Sequence, residues 1–231
     1  MTEPQPRIAV IVFPGSNDDR DAALALSGLG AEPVLVWHAE PDLPDVTAVV
    51  LPGGFSYGDY LRCGAIARFA PVMDAVRRFA ADGGLVLGIC NGFQILCEAG
   101  LLPGALRPND SLSFVCRDVP VRVERDDTPF TSLCKRGQGL SIPVKHGEGC
   151  YFADEELLAE LEQNGQIALV YEENPNGSAA AIAGVVNESG TVLGLMPHPE
   201  HAVDPLLGST DGALLLGSLV AAARERMLAT A

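Results

Sequence analysis

Leu85-Val86-Leu87-Gly88-Ile89-Cys90-Asn91-Gly92-Phe93-Gln94 joins an apolar run to a cysteine set between two glycines. Five residues without a polar side chain, Leu85 to Ile89, read as a strand buried on both faces. The next residues, Gly88-Ile89-Cys90-Asn91-Gly92, keep the spacing of the G-x-S-x-G elbow with a thiol in place of the hydroxyl. That spacing has a steric cause: a nucleophile held on a sharp strand-to-helix turn adopts strained backbone angles, and the flanking glycines lack the Cβ atoms that would collide there. Cys90 therefore projects from the end of a strand, at the N-terminus of a helix over Asn91 to Ala99. The helix dipole and free N–H groups there favour negative charge on the sulfur.

Working outward, the segments on either side repeat the alternation of strand and helix. Arg7 to Phe13 is a near-continuous β-branched run that stops at Pro14-Gly15-Ser16-Asn17. Asp18 to Leu29 carries acids in its first turn, Ala22, Ala25, Leu26 and Leu29 at helical spacing, and Gly30 where a left-handed cap belongs. Pro33 to Trp37 and Val46 to Leu51 read as strands, and Ala65 to Ala81 as one helix ended by Asp82-Gly83-Gly84. The opening half is βαββαβ. Apolar strands alternating with helices predict an open, mostly parallel twisted sheet of flavodoxin-like type, with helices on both faces and chemistry beyond the carboxyl ends of the strands.

After Gly100 the pattern changes to shorter strands: Val119 to Val123, Leu140 to Val144, Ile167 to Tyr171, Ala179 to Val186 and Val192 to Leu195. This half is predicted to add antiparallel strands to the α/β sheet. Asp154 to Gln163 reads as an N-capped helix and Asp211 to Met227 as a long terminal one. The expected organisation is a single domain over residues 1–231.

Three further segments carry chemistry. Gly194-Leu195-Met196-Pro197-His198-Pro199-Glu200 delivers a histidine and a carboxylate to a strand end, stiffened by two prolines. His198 suits a general acid and base, with Glu200 fixing its tautomer, so Cys90, His198 and Glu200 form a candidate triad. Leu51 to Asp59 (L-P-G-G-F-S-Y-G-D) is a glycine-rich strand-end loop without the pattern of a triphosphate cradle. A free Gly54 N–H beside that of Asn91 would form an oxyanion hole. Lys145-His146-Gly147-Glu148-Gly149 is a polar, glycine-flexed loop suited either to gripping a substrate or to a plain surface turn.

Composition narrows the classes. Thirty acidic against fifteen basic side chains give a formal net charge of −15, which repels phosphate backbones and anionic membranes. No apolar run approaches the ~20 residues that span a bilayer. The opening residues are polar and proline-bearing, without the signature of a secretory signal, so a cytoplasmic location is expected. The six cysteines contain no C-x-x-C pair, which argues against a zinc ribbon or disulfide framework. His198 and His201 could be metal ligands, but no third donor is evident, and no metal is expected.

These four segments together resemble the class I glutamine amidotransferases, over nearly the whole chain. Phe13 to Asn17, Gly53 to Arg62, Gly88 to Gln94 and Met196 to Glu200 look like the branch of that family serving as glutaminase subunits of phosphoribosylformylglycinamidine synthases. Asn91 after the cysteine separates this branch from relatives that carry an apolar residue there. The resemblance implies an open α/β sheet, Cys90 as nucleophile, His198 as acid and base, Glu200 as its orienter, and oxyanion N–H groups from Gly54 and Asn91. It implies that Gln94, Ser56, His146, Glu148 and Gly149 shape a glutamine pocket. It also implies two partners: a large synthetase subunit that uses ATP and Mg²⁺ to activate formylglycinamide ribonucleotide, and a small bridging subunit. No cofactor is expected on this chain. Three positions depart from the family pattern: Asp18, Lys145 and His201 stand where cysteine, alanine and arginine are usual.

Two rival readings keep the fold but change the function. One is a catalytically silent scaffold subunit, against which the intact Cys90, His198 and Glu200 speak. The other is a cysteine hydrolase or deglycase of the intracellular-protease-like family, in which a histidine commonly follows the nucleophile; here Asn91 does.

Overall fold

A computed structural model describes residues 4–230. The chain order is β1 (Arg7–Val12), α1 (Asp19–Gly28), β2 (Glu32–Trp37), β3 (Ala48–Leu51), α2 (Pro71–Ala81), β4 (Leu85–Ile89), α3 (Asn91–Glu98), β5 (Ala105–Arg107), β6 (Val115–Val123), β7 (Gly139–His146), β8 (Cys150–Phe152), α4 (Glu155–Gln163), β9 (Ile167–Tyr171), β10 (Ile182–Val186), β11 (Val192–Leu195) and α5 (Gly212–Thr230). Nine strands form one sheet in the order β2-β1-β3-β4-β11-β10-β9-β6-β7, and β5 pairs with β8 apart from it. The half from β2 to β11 is parallel. The half from β11 to β7 is antiparallel.

Burial explains the division. Strands β3, β4 and β11 are buried along their whole length, as parallel strands covered on both faces must be. Strand β7 instead alternates buried and less buried residues, as half-exposed antiparallel strands do. The crossovers β1-α1-β2 and β3-α2-β4 run in opposite directions across the sheet, so right-handed connections place α1 and α2 on opposite faces.

The feature that makes the site is the insertion of β11 between β4 and β10. Strand β11 pairs with β4 in parallel, Leu195 opposite Ile89, so their carboxyl ends finish side by side. The Cys90 N–H donates to the Leu195 carbonyl at 2.8 Å. Cys90, continuing from β4, and Met196 to Glu200, continuing from β11, are therefore brought to the same edge of the sheet.

Several boundaries differ from the sequence reading. Ala65 to Ala81 is not one helix: a 3₁₀ turn at Ala67–Phe69 gives way to extended Ala70 (φ −61°, ψ 141°) before α2 begins at Pro71. The residue before a proline is disfavoured in helical conformation, and proline itself suits a first helical position. Ala179 to Val186 starts as a 3₁₀ turn with Ala180 and Ala181 at positive φ, and only Ile182 to Val186 is strand. Strands β5 and β8 are three residues each, too short to show a period.

The N-cap expected at Asp154 is present: its Oδ1 accepts from the Leu157 N–H at 2.9 Å. Asp154→Ala removes that bond and is expected to cost about 1 kcal/mol. In a chain of this size that lowers Tm by about 2–4 °C in a thermal melt, and an unchanged Tm would show that α4 needs no cap.

Candidate active site

Cys90 lies between β4 and α3 at φ 50°, ψ −104°, a conformation that L residues rarely adopt. Neighbouring glycines make the turn possible. A Cβ on Gly88 would stand 2.7 Å from the Gly92 carbonyl group, and one on Gly92 would stand 2.7 Å from the Leu51 carbonyl carbon. The first α3 bond runs from the Gln94 N–H to the Cys90 carbonyl, so the N–H groups of Asn91, Gly92 and Phe93 have no acceptor within the helix.

His198 is fully buried, and its Nδ1 lies 2.6 Å from Glu200 Oε1. That contact leaves Nε2, which hydrogen-bonds to no described residue, free for the cysteine. Cys90 and His198 line the same cavity of about 180 Å³ together with Gly54 and Lys145. Burial alone pushes the imidazole pKa down, but the negative charges of Glu200 and Cys90 outweigh it and raise the value to about 10. His198 therefore carries a proton at neutral pH.

A second cavity, about 170 Å³, shares Cys90, Gly54 and Lys145 with the first and reaches Asp59, Gln94, His146 and Glu148. Both spaces are smaller than the roughly 300–1,000 Å³ that hold drug-sized ligands. Gly54 belongs to both, at φ 140° and bridged to Ser16; a Cβ on it would stand 2.6 Å from the Asn17 nitrogen.

Asn91 does more than the sequence reading gave it. Its side-chain Oδ1 accepts from the Ser56 N–H at 3.1 Å, and its Nδ2 donates to Gln94 Oε1 at 2.8 Å and Asp59 Oδ1 at 3.4 Å. One amide thus ties the Gly53-to-Asp59 loop to the helix that follows Cys90, and fixes Gly54 relative to Cys90. An apolar residue at this position could make none of these bonds.

The expected pocket residues divide. Gln94, His146 and Glu148 line the cavity, whereas Ser56 and Gly149 brace it from behind. Ser56 acts through the backbone bond just described, and the Gly149 N–H donates to Asn109 Oδ1 at 2.9 Å. His146 is held between Asn109 (3.1 Å) and Asn176 (3.4 Å); burial and the charge of His198 lower its pKa to about 4, so it is neutral at pH 7. Gln94 Nε2 donates to the Glu148 carbonyl at 2.6 Å, binding the loop after β7 to α3.

Three further residues gather beside Cys90, His198 and Glu200. Lys145 Nζ lies 2.5 Å from Asp18 Oδ1 and 3.0 Å from His201 Nε2, and His201 Nε2 lies 3.3 Å from the same Asp18 oxygen. The sequence gives no hint of this meeting, because the three come from the start of α1, the end of β7 and the turn Pro199–His201. Asp18 is also the third donor that the sequence reading did not find beside His198 and His201. Ligand atoms of Asp18, His198, Glu200 and His201 lie within 4.8 Å of one another, with the Lys145 amine in contact with two of those residues.

Residues 5–211 match the family model of the CobB/CobQ-like glutamine amidotransferase domain. A phosphoribosylformylglycinamidine synthase subunit PurQ from Rubrobacter xylanophilus is 62% identical over 94% of this chain and 99% of its own. The solved structure of PurLQS from Thermotoga maritima contains a chain that superposes with a TM-score of 0.88 at 46% identity, covering 94% of this chain and 99% of that one. A glutamine amidotransferase from the same organism shares the fold, with a TM-score of 0.61 at 16% identity over 98% of this chain and 99% of its own. The chain belongs to the glutamine amidotransferase family, in the branch of phosphoribosylformylglycinamidine synthase PurQ subunits.

Proposed function

We propose that this chain is the glutaminase subunit of a phosphoribosylformylglycinamidine synthase: it hydrolyses glutamine to glutamate and hands the ammonia to a large ATP-dependent subunit. The observation that carries the chemistry is a strained cysteine and a carboxylate-held histidine on one cavity wall.

In this reading the Cys90 thiolate attacks the side-chain carbonyl of glutamine. The N–H groups of Gly54 and Asn91 hold the oxyanion. His198 Nε2 gives its proton to the departing nitrogen, ammonia leaves, and a γ-glutamyl thioester remains on the sulfur. Neutral His198 then takes a proton from water as its oxygen attacks the thioester, and collapse expels the thiolate with glutamate. Asp59 and Glu148 line the second cavity beside Cys90, where their carboxylates would meet the α-ammonium of glutamine.

The reading needs no metal or organic cofactor on this chain, since thiol, imidazole and backbone donors supply every proton and charge. ATP and Mg²⁺ belong on the large subunit, which converts formylglycinamide ribonucleotide to formylglycinamidine ribonucleotide in purine biosynthesis, with a small subunit bridging the two. Ammonia lost to neutral water becomes ammonium and stops being a nucleophile, so hydrolysis is useful only where an acceptor is docked. Among the described residues no helix is long and apolar enough to cross a membrane, and we assign the protein to the cytoplasm. Residues 1–231 act as one glutaminase domain.

Reconstitution tests this. Mixed with the large and small subunits, the chain is expected to support synthesis of formylglycinamidine ribonucleotide from glutamine with stoichiometric release of glutamate. Product formed from ammonium salts but never from glutamine would refute the assignment.

A further inference from the structure

The triad histidine faces two carboxylates, not one. Its Nδ1 lies 2.6 Å from Glu200 and 3.7 Å from Asp18 Oδ2. The approach of Asp18 is built into the fold. Asp18 is 2% exposed, its N–H bonds to the Gly53 carbonyl, and a Cβ on Gly53 would press on the Asp18 carboxylate and stand 2.6 Å from His198 Cε1. Its other oxygen, Oδ1, is the one that Lys145 and His201 hold.

We infer that Asp18, clamped by Lys145 and His201, is a positioning residue for His198: a second carboxylate that steadies the imidazolium while Glu200 fixes its tautomer. Burial by itself would neutralise Asp18. The bond from His201 and the charges of His198 and Lys145 reverse that and hold its carboxyl well below the usual carboxylate range, so it stays charged. The cation clamp and the anion are one unit: Lys145 neutralises the half of Asp18 that faces away from His198, and leaves the other half turned toward the ring. The groups facing His198 are then Glu200 and His201 from its own turn, Asp18 from the start of α1, Lys145 and His146 from β7, and Cys90 from the elbow. Asp21 stands one step further out, 3.9 Å from His201.

The sign of the pH effect follows. A negative charge beside the imidazolium makes it a weaker acid, and the proton it carries is the one ammonia departs with. Removing the charge moves the alkaline limb of the glutaminase pH profile to lower pH; removing the neutralising amine moves it to higher pH.

The inference rests on the glutaminase reading, and the test separates the two. With the assembled synthase, glutamate release is measured against pH for the wild type, Asp18→Asn, Lys145→Met and the double variant. Asp18→Asn is expected to lower kcat about tenfold with the KM for glutamine within about twofold, and to shift the alkaline limb about one pH unit downward. Lys145→Met is expected to shift it upward. The double variant has no uncompensated charge, and is expected to keep a reduced kcat. Recovery of the wild-type kcat and profile in the double variant would overturn the inference, because Asp18 would then serve only to neutralise Lys145. A rise in KM at unchanged kcat would overturn it as well, placing Asp18 in substrate binding. If Asp18→Asn does not fold, the direction of the Lys145→Met shift decides alone. A wild-type complex without glutaminase activity sinks the functional reading, whereas an active one indifferent to these variants sinks only this inference.

Discussion

Cys90→Ala is expected to abolish glutamine hydrolysis by roughly 10⁴-fold or more while leaving the ammonia-dependent reaction of the assembled synthase intact. The first half follows from the mechanism: without the sulfur there is no thioester, and the oxyanion donors and the imidazole retain only the residual effect seen when a triad loses its nucleophile. The second half follows from position. Cys90 is 5% exposed, so little of its side chain is open to a docked partner. Alanine removes one atom and inherits the same backbone conformation, so the fold should persist. Glutamate release and ammonia-dependent product formation, measured on the same preparation, check both halves. A variant that still releases glutamate within about tenfold of the wild type would show that Cys90 is not the nucleophile.

Gly92→Ala should be the most damaging change of a single methyl group. The added Cβ would stand 2.7 Å from the carbonyl carbon and 2.9 Å from the Cβ of Leu51. Leu51 ends β3, which is paired on both sides, to β1 and β4, and has no freedom to retreat. The elbow must open instead. We expect a loss of about 3 kcal/mol or more, read as a Tm lower by roughly 10 °C, together with about 10²-fold less glutaminase activity from the displaced sulfur. Gly100→Ala is the control. Unlike Gly92 it has positive φ (71°), but it meets nothing within 4 Å, so its expected cost is only the backbone term of about 1–2 kcal/mol, with activity retained. A loss at Gly92 no larger than that at Gly100 would show that the elbow absorbs the Leu51 contact.

The elbow was legible in the sequence because its requirements are local. Gly88 and Gly92 are there to avoid atoms within a few residues or on an adjacent strand, and Leu85 to Ile89 forms the strand the apolar run predicts. His198 and Glu200 were legible for a similar reason, since two prolines and a strand fix their spacing. The strand order was not. Nothing in Val192 to Leu195 says that it enters the centre of the sheet beside β4 and not at an edge. Nor could composition show that Asn91 would use its side chain to lash the Gly53-to-Asp59 loop, because two of its partners, Ser56 and Asp59, lie in a loop remote from it in sequence. Asp18, Lys145 and His201 stood out singly as departures from the family pattern, and only the fold reveals that the three are one cluster.

The central seat of β11 also governs when the protein can become chemically competent. On the ribosome, Cys90 emerges well before β11 and the His198 that follows it. Under the proposed mechanism, a nascent polypeptide holds a cysteine with no proton donor beside it, and spills no ammonia before the sheet has closed around its last parallel strand.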